Sequence, residues 1–182
     1  MLVAWACVFA ASATGWAWAD GARRSLTRDQ LVGTWRLVRI EYSGPDGAHV
    51  DPFYQAGSTG LLIYDPSGWM SVHIVGPRRR SFEVPAQRLA QDSNPEREAL
   101  KAAAFDSYYA YDGTWEFDPA NSVLIHHVIS SLLPAERGMT YTQQVALEDG
   151  RLVFSNRSGK VGAETLRRKI WERAATPSPP GN

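Results

Sequence analysis

The sequence predicts an all-β fold, an eight-stranded antiparallel barrel with one inserted α-helix, on three observations. The tripeptide Gly33-Thr34-Trp35 recurs as Gly113-Thr114-Trp115, each time at the opening of a strand-like run. A small closed barrel needs glycine where the chain bends tightly and a large aromatic side chain to plug one end, and this tripeptide supplies both. Runs rich in β-formers alternate with compact turn clusters along most of the chain. One segment near the middle instead carries the signals of a helix start.

Taken in order, Leu31 to Tyr42 is the first strand, stopped by Gly44-Pro45-Asp46-Gly47. Leu61 to Tyr64 and Trp69 to Val75 flank Asp65-Pro66-Ser67-Gly68, a tight turn with proline at its second position and glycine at its fourth. Gly76-Pro77 ends that hairpin, and a long polar segment follows. Within it, Asn94-Pro95-Glu96-Arg97-Glu98 combines an Asn cap, proline at the first helical position and acids in the first turn. Leu100, Ala103, Ala104 and Tyr108 then share one helical face, so the helix is expected to cross or cover the barrel. Tyr111 to Phe117 and Ser122 to Ser130 flank the turn Asp118-Pro119-Ala120-Asn121. Tyr141 to Leu147 and Leu152 to Ser155 flank Glu148-Asp149-Gly150, with the Asp-Gly pair that hairpins favour. Leu166 to Arg173 closes the count, and the proline-bearing end is expected to be a disordered tail.

Met1 to Ala19 stand apart. They carry no charged side chain and end in Ala17-Trp18-Ala19 before Asp20, the small-x-small pattern of a signal-peptidase site, although a basic start is lacking. The competing reading is a membrane anchor, since the stretch approaches the roughly 20 residues of a span. Ala, Gly, Ser and Thr dilute it, which favours cleavage. The expected organisation is a signal peptide over 1–19, a linker over 20–30, the barrel domain over 31–173 and a tail over 174–182. Export to a periplasm or the exterior, with no stable membrane anchor after cleavage, follows from that reading.

Removing the leader removes Cys7, the one cysteine, and with it thiolate, iron–sulfur and cysteine–zinc chemistry. Nineteen basic and nineteen acidic residues cancel, which argues against the strong positive field a nucleic-acid binder needs. No nucleophile elbow, phosphate loop, dinucleotide fingerprint or zinc-protease helix is present.

LVGTWRLVRIEY, the GLLIYDPSGWMSVHI hairpin, YYAYDGTWEFD, VLIHHVISSLLP and the closing KIWER together resemble the bacterial and fungal lipocalin-like domain family, over about Leu31 to Arg173. The resemblance implies an antiparallel barrel with a central cavity for a small, largely apolar molecule. It implies no particular reaction and no cofactor. In lipocalins generally the tryptophan of the first strand packs on an arginine of the last, a match that Trp35 makes with Arg168 or Arg173.

Strand parity sorts the candidate site residues, because alternate side chains face opposite sides. Met70, Val72 and Ile74 share one face, Ser71 and His73 the other; an oily cavity takes the first set and a polar cavity the second. His126 and His127 point to opposite faces and cannot chelate one metal together, so no metal site is expected. His127 shares its face with Val123, Ile125 and Ile129, and His126 with Leu124 and Val128; His127 is taken as the inward one. Its structural counterpart is a buried histidine satisfied by a neighbouring hydroxyl or carbonyl. Tyr64, Tyr111 and Tyr141 offer hydroxyls from apolar walls, and Trp35 and Trp115 offer ring surface. The candidate ligand-binding set is thus Trp35, Tyr64, Met70, Val72, His73, Tyr111, Trp115, His127 and Tyr141. Arg78-Arg79-Arg80 would guard the mouth or be a solvated loop, and an inward carboxylate among Glu41, Glu116 and Glu172 would revive acid–base chemistry.

Three functional classes follow. The first is carriage of a small hydrophobic ligand. The second is a cofactor-free isomerase, cyclase or hydratase using His73 or His127 with a tyrosine. The third is a structural envelope protein whose barrel is filled by its own side chains. The oligomeric state is not specified by any feature of the sequence.

Overall fold

A computed structural model describes residues 26–44, 57–79, 94–160 and 163–176. The expected signal peptide, the proline-bearing tail beyond residue 176 and Arg80 lie outside the described residues. Eight antiparallel strands form a closed barrel in chain order: β1 (Gly33–Ser43), β2 (Thr59–Tyr64), β3 (Trp69–Val75), β4 (Tyr108–Asp118), β5 (Val123–Ser131), β6 (Thr140–Glu148), β7 (Arg151–Lys160) and β8 (Ala163–Arg173). β8 returns to pair with β1, so no edge is left open.

The inward face of each strand follows the period of two. Trp35 and Leu37 on β1, Leu62 and Tyr64 on β2, and Met70, Val72 and Ile74 on β3 are all buried. The same holds for Tyr111 and Trp115 on β4, Leu124, His126 and Val128 on β5, Leu152 and Phe154 on β7, and Trp171 on β8. Two register shifts interrupt the pattern, between Leu37 and Arg39 and between Asp112 and Gly113. Bulges of this kind bend a sheet into a barrel.

Helix α1 (Arg28–Leu31) is one turn with a capping box between Thr27 and Gln30. Leu26 and Leu31 belong to the main core, so part of the expected linker instead closes the barrel. Helix α2 (Pro95–Asp106) begins where the sequence predicts: Asn94 caps it by accepting from the Arg97 amide at 2.9 Å. It buries none of its residues. Tyr108, expected on its inner face, is the first residue of β4. The second Gly-Thr-Trp likewise lies inside β4 rather than opening it. There Gly113 is required by close approach, because an added Cβ would collide with the His127 carbonyl. None of the described helices is long and apolar enough to cross a membrane.

Candidate functional site

One end of the barrel is closed by the starts of β1 and the ends of β8, and both repeated tryptophans sit there. Trp35 Nε1 donates to the Leu31 carbonyl at 2.8 Å. The Arg173 guanidinium lies 4.0 Å from the Trp35 ring centre and donates to the Val32 and Gln30 carbonyls. Of the two arginines considered for this plug, Arg173 is therefore the one. Arg168 faces outward to Glu41 and Glu148. Trp115 Nε1 donates to the Asp65 carbonyl at 3.1 Å, and Arg28 covers its ring at 4.3 Å. Leu31, Leu62, Leu124, Leu152 and Trp171 fill the space between.

Above this packed layer lies a buried polar relay. His126, fully enclosed, bonds through Nε2 to the Tyr64 hydroxyl at 2.7 Å and through Nδ1 to the Tyr111 hydroxyl at 2.7 Å. If the enclosed Tyr64 hydroxyl accepted from the ring, its own proton would be buried without an acceptor, at a cost of about 1–3 kcal/mol. Tyr64 therefore donates to Nε2, and the Nδ1 proton is donated to Tyr111. Tyr111's own hydroxyl proton is then directed away from His126. Burial, reinforced by the charges of Lys169 and His127, holds the His126 pKa down at about 3, so the ring is neutral at physiological pH. Burial, and then the proximity of Tyr111, raises the Tyr64 phenol well above its ordinary value.

The open half of the barrel holds a cavity of about 300 Å³, lined by Tyr109, Tyr111 and Tyr141, by Gln143 and Asn156, and by Arg167 and Lys169, with Glu136 at its rim. The tyrosines form an aromatic wall: Tyr109 and Tyr111 ring centres are 5.6 Å apart, and Tyr141 meets Tyr111 edge-on at 5.7 Å. Glu136, in the 3-10 turn Pro134–Glu136, accepts from Tyr109 at 3.1 Å and from Ser131 at 2.7 Å. Partial burial, then hydrogen bonding to Glu136 and its charge, raises the Tyr141 pKa. Gln143 is only 5% exposed, yet its Oε1 is buried without a hydrogen-bond partner among the described residues.

The nine candidates separate accordingly. Tyr111 and Tyr141 line the cavity. Tyr64 lies beneath it, at the base of the relay. Trp35, Met70, Val72 and Trp115 are inward but belong to the packed core. His127 is a correction: it faces outward, with Nε2 3.2 Å from Glu116 and Nδ1 3.2 Å from Thr140, while its neighbour His126 is the enclosed one. The reason is that Ile125 and Ile129 sit on the outer face, with Ile129 46% exposed. His73 is likewise outside, bonded to Ser71 at 2.8 Å and Tyr108 at 2.6 Å. The three strand carboxylates are also outward, Glu41 with Arg39, Glu116 with His127 and Glu172 with Arg36. Arg79 braces α2 through the Ala104 carbonyl at 2.7 Å. Sequence reasoning missed Gln143, Arg167 and Lys169, although the two cations share parity with Trp171.

Ser71, His73 and Tyr108 form a hydrogen-bonded chain beside a shallower outer recess of about 200 Å³. The backbone around Ser71 is engaged on both sides, opposite Ile63 and Asp112. Amides held in a ladder offer no oxyanion site, so this chain is a surface network. Among the described residues no group of three His, Cys, Asp or Glu side chains is placed to hold a metal.

The barrel closure, the Trp35–Arg173 plug and the sequence agree on one assignment, because the model of the lipocalin-like domain matches residues 32–174. The chain belongs to the lipocalin-like domain family. Among curated proteins, none matches the sequence. The lipocalin-like barrel suggests ligand binding in general.

Proposed function

We propose that the protein is a non-enzymatic carrier that holds a small, largely apolar molecule in the open half of its lipocalin-like barrel. The cavity between the tyrosine wall and β8 is the observation that carries this reading. Its volume falls at the lower end of the ~300–1,000 Å³ typical of small-molecule sites. Ring faces of Tyr109, Tyr111 and Tyr141 bury apolar surface at roughly 25 cal/mol per Å². His126 supports carriage over acid–base chemistry, because both ring nitrogens are engaged and a group with a pKa of about 3 is a weak base at neutral pH. Met1 to Ala19 we read as an export leader, and mass spectrometry of the mature amino terminus checks it by finding Asp20 first.

Titration with the neutral fluorophore N-phenyl-1-naphthylamine tests the binding reading. Saturable enhancement with one site per chain, weakened about tenfold by Tyr111→Ala, is the expected result. No binding, or binding indifferent to that substitution, contradicts it.

A further inference from the structure

The cavity carries more polar chemistry than an apolar ligand needs. Two cations project into it from one strand: Arg167 and Lys169 alternate with outward Arg168 and continue the inward face of Trp171. Lys169 is close enough to His126 for its charge to oppose protonation of the ring. Among the described residues no carboxylate bridges to Arg167. Glu136, the carboxylate among the described lining residues, is engaged by the hydroxyls of Tyr109 and Ser131. The cavity thus carries two cationic side chains on β8 and, on the β5–β6 connection, a carboxylate whose oxygens are occupied by hydroxyl donors.

One further group sharpens this. Gln143 presents a nearly buried amide whose oxygen has no donor among the described residues. A buried orphan of that kind costs about 1–3 kcal/mol when unpaired. A partner that supplies a hydroxyl or N–H to the cavity recovers that loss.

We infer that the bound molecule is a small planar organic acid, its carboxylate between Arg167 and Lys169, its ring against Tyr109, Tyr111 and Tyr141, and a hydroxyl on Gln143. The inference rests on the binding reading above and names its ligand class. A guanidinium matches a carboxylate with two parallel donors, and an ammonium adds a point charge. The aromatic wall selects a flat body over a bulky one.

The test displaces N-phenyl-1-naphthylamine with 4-hydroxybenzoate, 4-hydroxybenzamide, benzoate and 4-hydroxybenzylamine. The acid is expected to displace at least tenfold better than the isosteric amide, and the amine worst of all. Benzoate, lacking the hydroxyl, is expected to fall about fivefold short of the hydroxy acid. Arg167→Met and Lys169→Met should each weaken the acid about tenfold and the amide less than twofold. The comparison among ligands uses the unaltered protein, so the inference remains testable if a variant fails to fold. Binding of the neutral fluorophore with no preference for acid over amide overturns the inference and leaves the carrier reading standing. Absence of fluorophore binding overturns both.

Discussion

The two halves of the barrel are built on the same strands and differ in what the inward positions carry. On β8 the inward face runs from Trp171 at the closed end to Lys169 and Arg167 at the open end. β7 runs from Leu152 and Phe154 to Asn156, β6 from Val145 to Gln143 and Tyr141, and β4 from Trp115 to Tyr111 and Tyr109. Four strands thus change character at the same level, and His126 with its two tyrosines lies at that level. The closed half is side chain packed on side chain; the open half leaves a cavity and, beside it, a Gln143 amide oxygen with no hydrogen-bond partner among the described residues. Stability resides in the first, and under the proposed carrier reading the second trades some of it for recognition.

The largest effect should come from the closed half. Trp171→Ala is expected to cost about 3–5 kcal/mol in chemical denaturation, because the ring is 1% exposed and packs against Phe154 at a centroid distance of 6.3 Å. A loss under 1 kcal/mol would mean that the closed half is not the stabilising core.

Acidification addresses the boundary between the halves. The folded pKa of His126 lies at about 3 against 6.5 for the free side chain. The unfolded chain therefore binds the proton first, and stability present above pH ~6.5 is lost progressively as the pH falls toward 3. The slope attributable to this one group is about 1.4 kcal/mol per pH unit. Asp65 and Asp118 have depressed pKa values and contribute their own loss only as the pH falls below their ordinary value of 3.8. Denaturation midpoints between pH 6 and pH 4.5 should accordingly be flatter in His126→Gln than in the parent. Equal slopes would place His126 in contact with water.

Tyr64→Phe leaves the His126 Nε2 unpaired without opening a large void. A loss of about 1–3 kcal/mol is expected, together with no change at the cavity beyond what His126 transmits. Equilibrium unfolding and fluorophore titration of the same sample separate the two readouts. The smallest effect should have the opposite sign. Gln143→Leu removes a buried amide oxygen with no partner among the described residues, so the empty protein should gain about 1 kcal/mol while its affinity for a hydroxyl-bearing ligand falls.

Much of the closed half is legible in the sequence because it obeys local rules. The Asp65–Gly68 turn and the alternation of Met70, Val72 and Ile74 each follow from neighbours a few positions apart, and so does the Asn94 cap of the helix outside the core. The Trp35–Arg173 plug was reachable through family resemblance, and only the choice between two arginines waited for the register. The open half is less legible for a physical reason. On β5 both faces are apolar, so parity cannot say which of His126 and His127 turns inward; the answer depends on tyrosines from β2 and β4 that meet there across the barrel. Helix α1 escaped notice although Thr27 and Gln30 spell its capping box. Arg167 and Lys169 were readable by counting back from Trp171, but a charged residue on an inward position looks like an error until a cavity is there to receive it.

The division of labour between the halves is tested most directly by mapping backbone amide shifts on binding of N-phenyl-1-naphthylamine by NMR. The account predicts changes concentrated at residues 109–111, 141–143, 156 and 167–169, with Leu62, Trp115, Leu152 and Trp171 little moved. Changes centred on those four core residues, or on the outer network of Ser71 and His73, would contradict it.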